Sequence, residues 1–125
     1  MSFVLAKIRN KKKNKQTLNI LKKQLTKVLE KKFKSNNFIV AYEPIWSIGT
    51  GKIPNENELI KTTLHIKKIL KKIFGKRVPP IIYGGSVDGG NVKKFKNIKE
   101  IQGFLVGGAS KSSQKFIDII KNYYR

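Results

Sequence analysis

Short apolar runs that alternate with amphipathic helical stretches limit the fold of this chain more than any other feature of its sequence. Phe38 to Ala41, Ile81 to Tyr83 and Phe104 to Val106 are apolar and rich in β-branched or aromatic residues, as short buried strands are. Phe3 to Ala6 is another run of this kind. Leu18, Leu21, Leu25, Val28 and Leu29 repeat on one helical face, with lysines on the other, until Asn36-Asn37 breaks the pattern. Leu59, Ile66, Ile69, Leu70 and Ile73 make a second stripe, opened by Asn55 with Glu58 three residues on and closed by Gly75. Pro79-Pro80 leads into the Ile81 run; a short helix is expected near Asn91–Lys96 and a last one around Ser113–Tyr124. Strands joined in turn by helices imply a parallel sheet with the helices outside it.

With 125 residues there is room for one domain with a modest core. The absence of cysteine excludes disulfides and thiolate metal sites. No apolar run approaches the roughly 20 residues that span a bilayer, and Met1 to Lys7 is too short for a signal-peptide core. A soluble, cytoplasmic protein is the expectation. Lys and Arg number 28 against 7 Asp and Glu, a net charge of +21. Such a balance raises nucleic acid or an anionic membrane as partner. The excess, however, is almost all lysine spread over helix faces, together with abundant Asn and Ile, the joint enrichment that an AT-rich coding bias produces. The one dense run, Asn10 to Lys15, reads as a solvated loop before a helix. Charge alone gives only non-specific affinity, so neither a membrane nor a nucleic-acid partner is expected. A basic module tethered to nucleic acid remains a third reading.

The chemistry concentrates in Ala41-Tyr42-Glu43-Pro44-Ile45-Trp46-Ser47-Ile48-Gly49-Thr50-Gly51-Lys52. Glu43 stands at the carboxyl end of an expected strand, followed by a stiff hinge and a glycine-bearing loop. A lone strand-end Glu is ordinarily a solvated charge. A general base, by contrast, needs a rigid element beside a loop that can close and exclude water, which is the setting here. Glycines follow three strands: Gly49 with Gly51, Gly84 with Gly85, and Gly107 with Gly108. One such pair is ordinarily a turn. Three at successive carboxyl ends favour a shared anion pocket, because backbone N–H groups approach an anion closely where no Cβ intervenes.

The segment around Glu43, with Ile82-Tyr83-Gly84-Gly85-Ser86-Val87 and Gly103-Phe104-Leu105-Val106-Gly107-Gly108-Ala109-Ser110, closely resembles the triosephosphate isomerase family. The motifs keep family order and spacing, and Thr17-Leu18 to Gln24-Leu25 is similar to the family's fifth helix. The resemblance implies an α/β fold of the TIM (β/α)₈-barrel class, present as a half-barrel of about four strand–helix units. Residues 1–125 would be the carboxy-terminal half of the barrel, strands five to eight. It implies an isomerase of glycolysis and gluconeogenesis that interconverts dihydroxyacetone phosphate and glyceraldehyde 3-phosphate with no cofactor or metal. Glu43 would be the catalytic base, and Gly49, Ser86, Gly107 and Gly108 would bind the substrate phosphate. Pro44, Ile45 and Trp46 would be the lid's first hinge, Ser47, Ile48, Gly49, Thr50 and Gly51 its tip, and Lys52-Ile53-Pro54 its second hinge. Tyr83 would hold the lid from below, and the Ser86 hydroxyl would latch it when closed.

His65, the only histidine, matches a helix position of the family and reads as structural or solvated. The family's electrophilic His and phosphate-contacting Lys belong to early strands that this sequence does not contain. Lys7 falls where the family carries a Glu that holds the hinge Trp, and Lys111 replaces the usual Leu, placing a cation near the phosphate. The second reading is therefore an inactive half-barrel remnant, or one part of a split isomerase. Its partners would be a phosphorylated triose and either a complementary amino-terminal half or further copies of itself.

Overall fold

In this computed structural model, which describes residues 2–8 and 14–125, β1 (Ser2–Ile8) runs parallel to β2 (Phe38–Pro44). Their register sets Ser2 opposite Phe38 and Ile8 opposite Pro44. On the other side of β2 lies β3 (Ile81–Tyr83), also parallel, with Val40 opposite Ile81 and Tyr42 opposite Tyr83. Chain order therefore equals spatial order, as parallel strands linked by helical crossovers allow.

The strand expected over Phe104–Val106 is reduced to a single parallel bridge between Phe104 and Tyr83. Three hydrogen bonds support it: Gln102 N–H to the Ile81 carbonyl at 2.8 Å, Tyr83 N–H to the Gly103 carbonyl at 3.0 Å, and Leu105 N–H to the Tyr83 carbonyl at 2.9 Å. The cause lies in β3, which is three residues long between Pro80 and Gly84-Gly85 and offers a partner few positions.

Helix α1 (Asn14–Val28) follows β1, α2 (Glu56–Phe74) follows β2, and α3 (Ser113–Tyr124) follows the Phe104 bridge. Of the basic run Asn10 to Lys15, only Asn14 and Lys15 lie among the described residues, opening α1. The helix expected near Asn91–Lys96 is a 3₁₀ turn, Val92–Phe95. Asn55 caps α2 by accepting the Glu58 N–H at 2.8 Å, and Gly75 ends it at φ 70°.

Leu21 and Leu25 from α1, with Leu29 just past its end, meet Leu59, Ile66 and Leu70 from α2 over Val40, Tyr42 and Ile81 of the sheet. Val28, expected in the apolar stripe, is instead 55% exposed at the last position of α1. His65 faces α1, its Nε2 3.2 Å from the Leu18 carbonyl, so its place is structural. Partial burial, with smaller contributions from Lys68 and Lys22, lowers its pKa against the opposing pull of that hydrogen bond. Among the described residues no helix is long and apolar enough to cross a membrane.

Candidate active site

Glu43 is the penultimate residue of β2, paired in register with Lys7 of β1, whose side chain lies outside the described residues. The chain leaves β2 beside Gly84, whose N–H donates to the Tyr42 carbonyl at 2.9 Å. A Cβ at Gly84 would stand 2.8 Å from the Glu43 Cγ, so any other residue there would force the Glu43 side chain to shift. Glycine there is what lets the Glu43 stem lie across the end of β3.

Pro44 turns the chain into a 3₁₀ turn, Ile45–Ser47, and the loop that follows uses positive φ at Gly49 (69°) and Gly51 (71°). The base of the loop is tied by one hydroxyl. Ser47, fully buried, donates its proton to the Lys52 carbonyl and accepts the Ser86 N–H at 3.1 Å. Its oxygen is also 3.2 Å from the Tyr83 hydroxyl. A serine has only one proton to give, so Tyr83 is the donor in that pair. Gly85 allows the arrangement, since a Cβ there would fall 2.0 Å from the Tyr83 hydroxyl oxygen. Burial raises the Tyr83 pKa to about 12, partly offset by the Ser47 contact, so the phenol stays neutral. Thr50 closes the tip, its Oγ1 donating to the Ser47 carbonyl at 3.1 Å and accepting the Lys52 N–H at 3.1 Å.

Above this base opens a cleft of about 540 Å³. Glu43, Gly49, Ser86, Gly107 and Gly108 all line it, joined by Ile48, Gly51 and Gly84. Thus residues 65 positions apart in the sequence, from Glu43 to Gly108, reach one hollow at the carboxyl ends of the strands. Pro44, Ile45, Trp46, Ser47, Thr50, Lys52 and Tyr83 lie outside its lining; Trp46 packs against the core instead. The N–H groups of Gly49, Gly107 and Gly108 find no acceptor among the described residues. That of Ser86 does find one, in Ser47, so the contact between this turn and the loop runs through the Ser86 backbone rather than its hydroxyl.

Lys111, expected near the anion pocket, is not part of the lining; Lys115, a turn further on, is. Asp88, not among the residues expected from the sequence, also lines the cleft. Its Oδ1 accepts the N–H groups of Gly90 at 2.8 Å and Asn91 at 2.9 Å. The Asp-Gly-Gly-Asn sequence is the signal that could have placed it, because Asp favours such turns. Among the described residues no three His, Cys, Asp or Glu side chains are grouped as metal ligands. A second hollow, about 660 Å³ and lined by Ile53, Glu56, Leu59, Lys94 and Ile98 among others, contains none of the strand-end glycines.

A parallel sheet with outer helices, its glycine turns gathered at the strands' carboxyl ends beside a carboxylate, is part of a (β/α)₈ barrel of the TIM class. Residues 6–123 match the family description triosephosphate isomerase. The triosephosphate isomerase of Chlamydia trachomatis serovar D is 41% identical over 108 residues, covering 84% of this chain and 39% of that protein. That of Thermodesulfovibrio yellowstonii is 37% identical over 121 residues (95% and 49%), and that of Saccharomyces cerevisiae 40% over 114 (89% and 46%). The crystal structure of the triosephosphate isomerase from Bartonella henselae superposes with a TM-score of 0.84 at 25% identity, covering 98% of this chain and 51% of that one. The chain belongs to the triosephosphate isomerase family. It spans between 39% and 51% of the length of these relatives.

Proposed function

We propose that these 125 residues form the base-bearing and phosphate-holding half of a triose-phosphate isomerase site, with the domain running the length of the chain. The observation that carries this reading is the shared cleft of Glu43, Gly49, Ser86, Gly107 and Gly108. Proton abstraction by a Glu paired with a neutral His, under a closing loop, is the established chemistry of triosephosphate isomerases. Here Glu43 would take a proton from the carbon next to the substrate carbonyl and return it to the neighbouring carbon. The unpartnered N–H groups of Gly49, Gly107 and Gly108 would hold the substrate phosphate, joined by Ser86 when Ser47 releases it. The segment Pro44 to Pro54 would be the lid, tied at its base by Ser47 and Tyr83.

The only histidine is His65, held between α1 and α2. On this reading the group that polarises the carbonyl would come from outside these 125 residues. A complementary half of the barrel is the partner this reading calls for, working on a phosphorylated triose in the cytoplasm. Titration with a phosphorylated triose analogue tests the pocket. Ser86→Asp sets a carboxylate against the anion and should weaken binding by at least tenfold; equal affinity in both proteins would remove the assignment.

A further inference from the structure

Among the residues that line the cleft, Glu43 and Asp88 carry carboxylates and Lys115 alone carries a positive charge. Lys115 lies in the first turn of α3, whose cap Ser112 accepts its backbone N–H at 3.4 Å. Further along the helix, Asp118 and Asn122 pack on the turn that follows Ser86. A Cβ built on Gly89 would lie 3.1 Å from the Asp118 Cβ and 3.2 Å from the Asn122 Nδ2. Positions 115, 118 and 122 share one helical face. The packing that seats α3 on this turn therefore also directs Lys115 to the cleft. Its ammonium makes no ion pair among the described residues.

Two carboxylates repel a doubly charged ligand, and backbone N–H groups supply dipoles but no net charge. We propose that Lys115 is the cation that balances a phosphate group seated at Gly107 and Gly108, and that it sets the preference of the cleft for a dianion. This rests on the reading of the cleft as a phosphate site.

The test is titration of the chain with inorganic phosphate, followed by ³¹P NMR at low and high salt. Wild type, Lys115→Met, Lys115→Arg and Lys111→Met are compared, with circular dichroism checking that all four are equally folded. A charge-assisted contact is worth about tenfold in affinity. Lys115→Met should bind phosphate about tenfold more weakly and with a shallower salt dependence, while Lys115→Arg and Lys111→Met stay near wild type. Binding by Lys115→Met equal to wild type would overturn the role of Lys115 and leave the phosphate cleft standing. An equal loss in Lys111→Met would also overturn it, by showing a general effect of charge. Absence of phosphate binding by wild type would overturn both the cleft reading and this one.

Discussion

Ser47 has one proton to give and two lone pairs to receive with, and all three are engaged, by Lys52, Tyr83 and Ser86. Removing its oxygen leaves the buried Tyr83 hydroxyl and the Ser86 N–H without their partner. Each buried polar group left unpaired costs about 1–3 kcal/mol. Ser47→Ala should therefore lower the denaturation midpoint. Adding Tyr83→Phe deletes one orphaned group, so the double variant should lose less than the sum of the two single changes. Simple additivity would show that the two hydroxyls do not interact. The same phenol gives a sign for alkaline pH. Its folded pKa is raised from 10.0 to about 12, so an unfolded chain releases that proton first. The stability this contributes is fully present below pH 10.0 and is lost as pH rises toward about 12.

At the scale of elements, α2 depends on its cap. Asn55 accepts the Glu58 N–H at 2.8 Å, and replacing such a cap by Ala costs about 0.5–2 kcal/mol. Asn55→Ala should lower helicity and reduce the unfolding free energy by that amount, read by circular dichroism during denaturation, and no change would show the cap to be idle. This cap was legible in the sequence, as were Gly75, the stripe from Leu59 to Leu70, and the bounds of β3 and α3, because each depends on local periodicity and turn chemistry. The fourth strand was less so: the run Phe104–Val106 is apolar enough, but its pairing depends on the length of β3, which lies elsewhere in the chain. Glu43 and the strand-end glycines stood out as a pattern, whereas the contact of Tyr83 with the loop, made at Ser47 36 positions away, leaves no local mark and was expected only through the family resemblance. Lys115 was missed for a related reason. Which turn of α3 meets the cleft is fixed by its packing on Gly89, not by distance along the chain from Gly108.

At the scale of the whole molecule, the sheet ends among the described residues at β1 on one side and at the Phe104 bridge on the other. Exposed strand edges invite pairing with another chain. On α3, Phe116, Ile117 and Ile120 are between 41% and 45% exposed and Tyr124 is 80% exposed, an apolar face with little of this chain upon it. The net charge of +21 opposes close approach of copies, so association should strengthen as salt screens it. Sedimentation of the isolated chain should show self-association that increases with ionic strength, or a poorly folded species. A monodisperse monomer with a cooperative melt would contradict the open-edged half-barrel.

The central claim, that Glu43 is a base in a site completed from elsewhere, is tested most directly by complementation. Oriented hydrogen-bond donors of the kind that the proposed reading assigns to a complementary half are worth about 10²–10³-fold each in rate. Purified alone, the chain should isomerise triose phosphates negligibly above background. Mixed with a polypeptide that supplies the first four strands of the family's barrel, it should gain activity, and Glu43→Gln should abolish that gain because an amide cannot accept the proton. Robust turnover by the 125 residues alone would contradict the need for a second half. Activity of the mixture that persists in Glu43→Gln would contradict the assignment of the base.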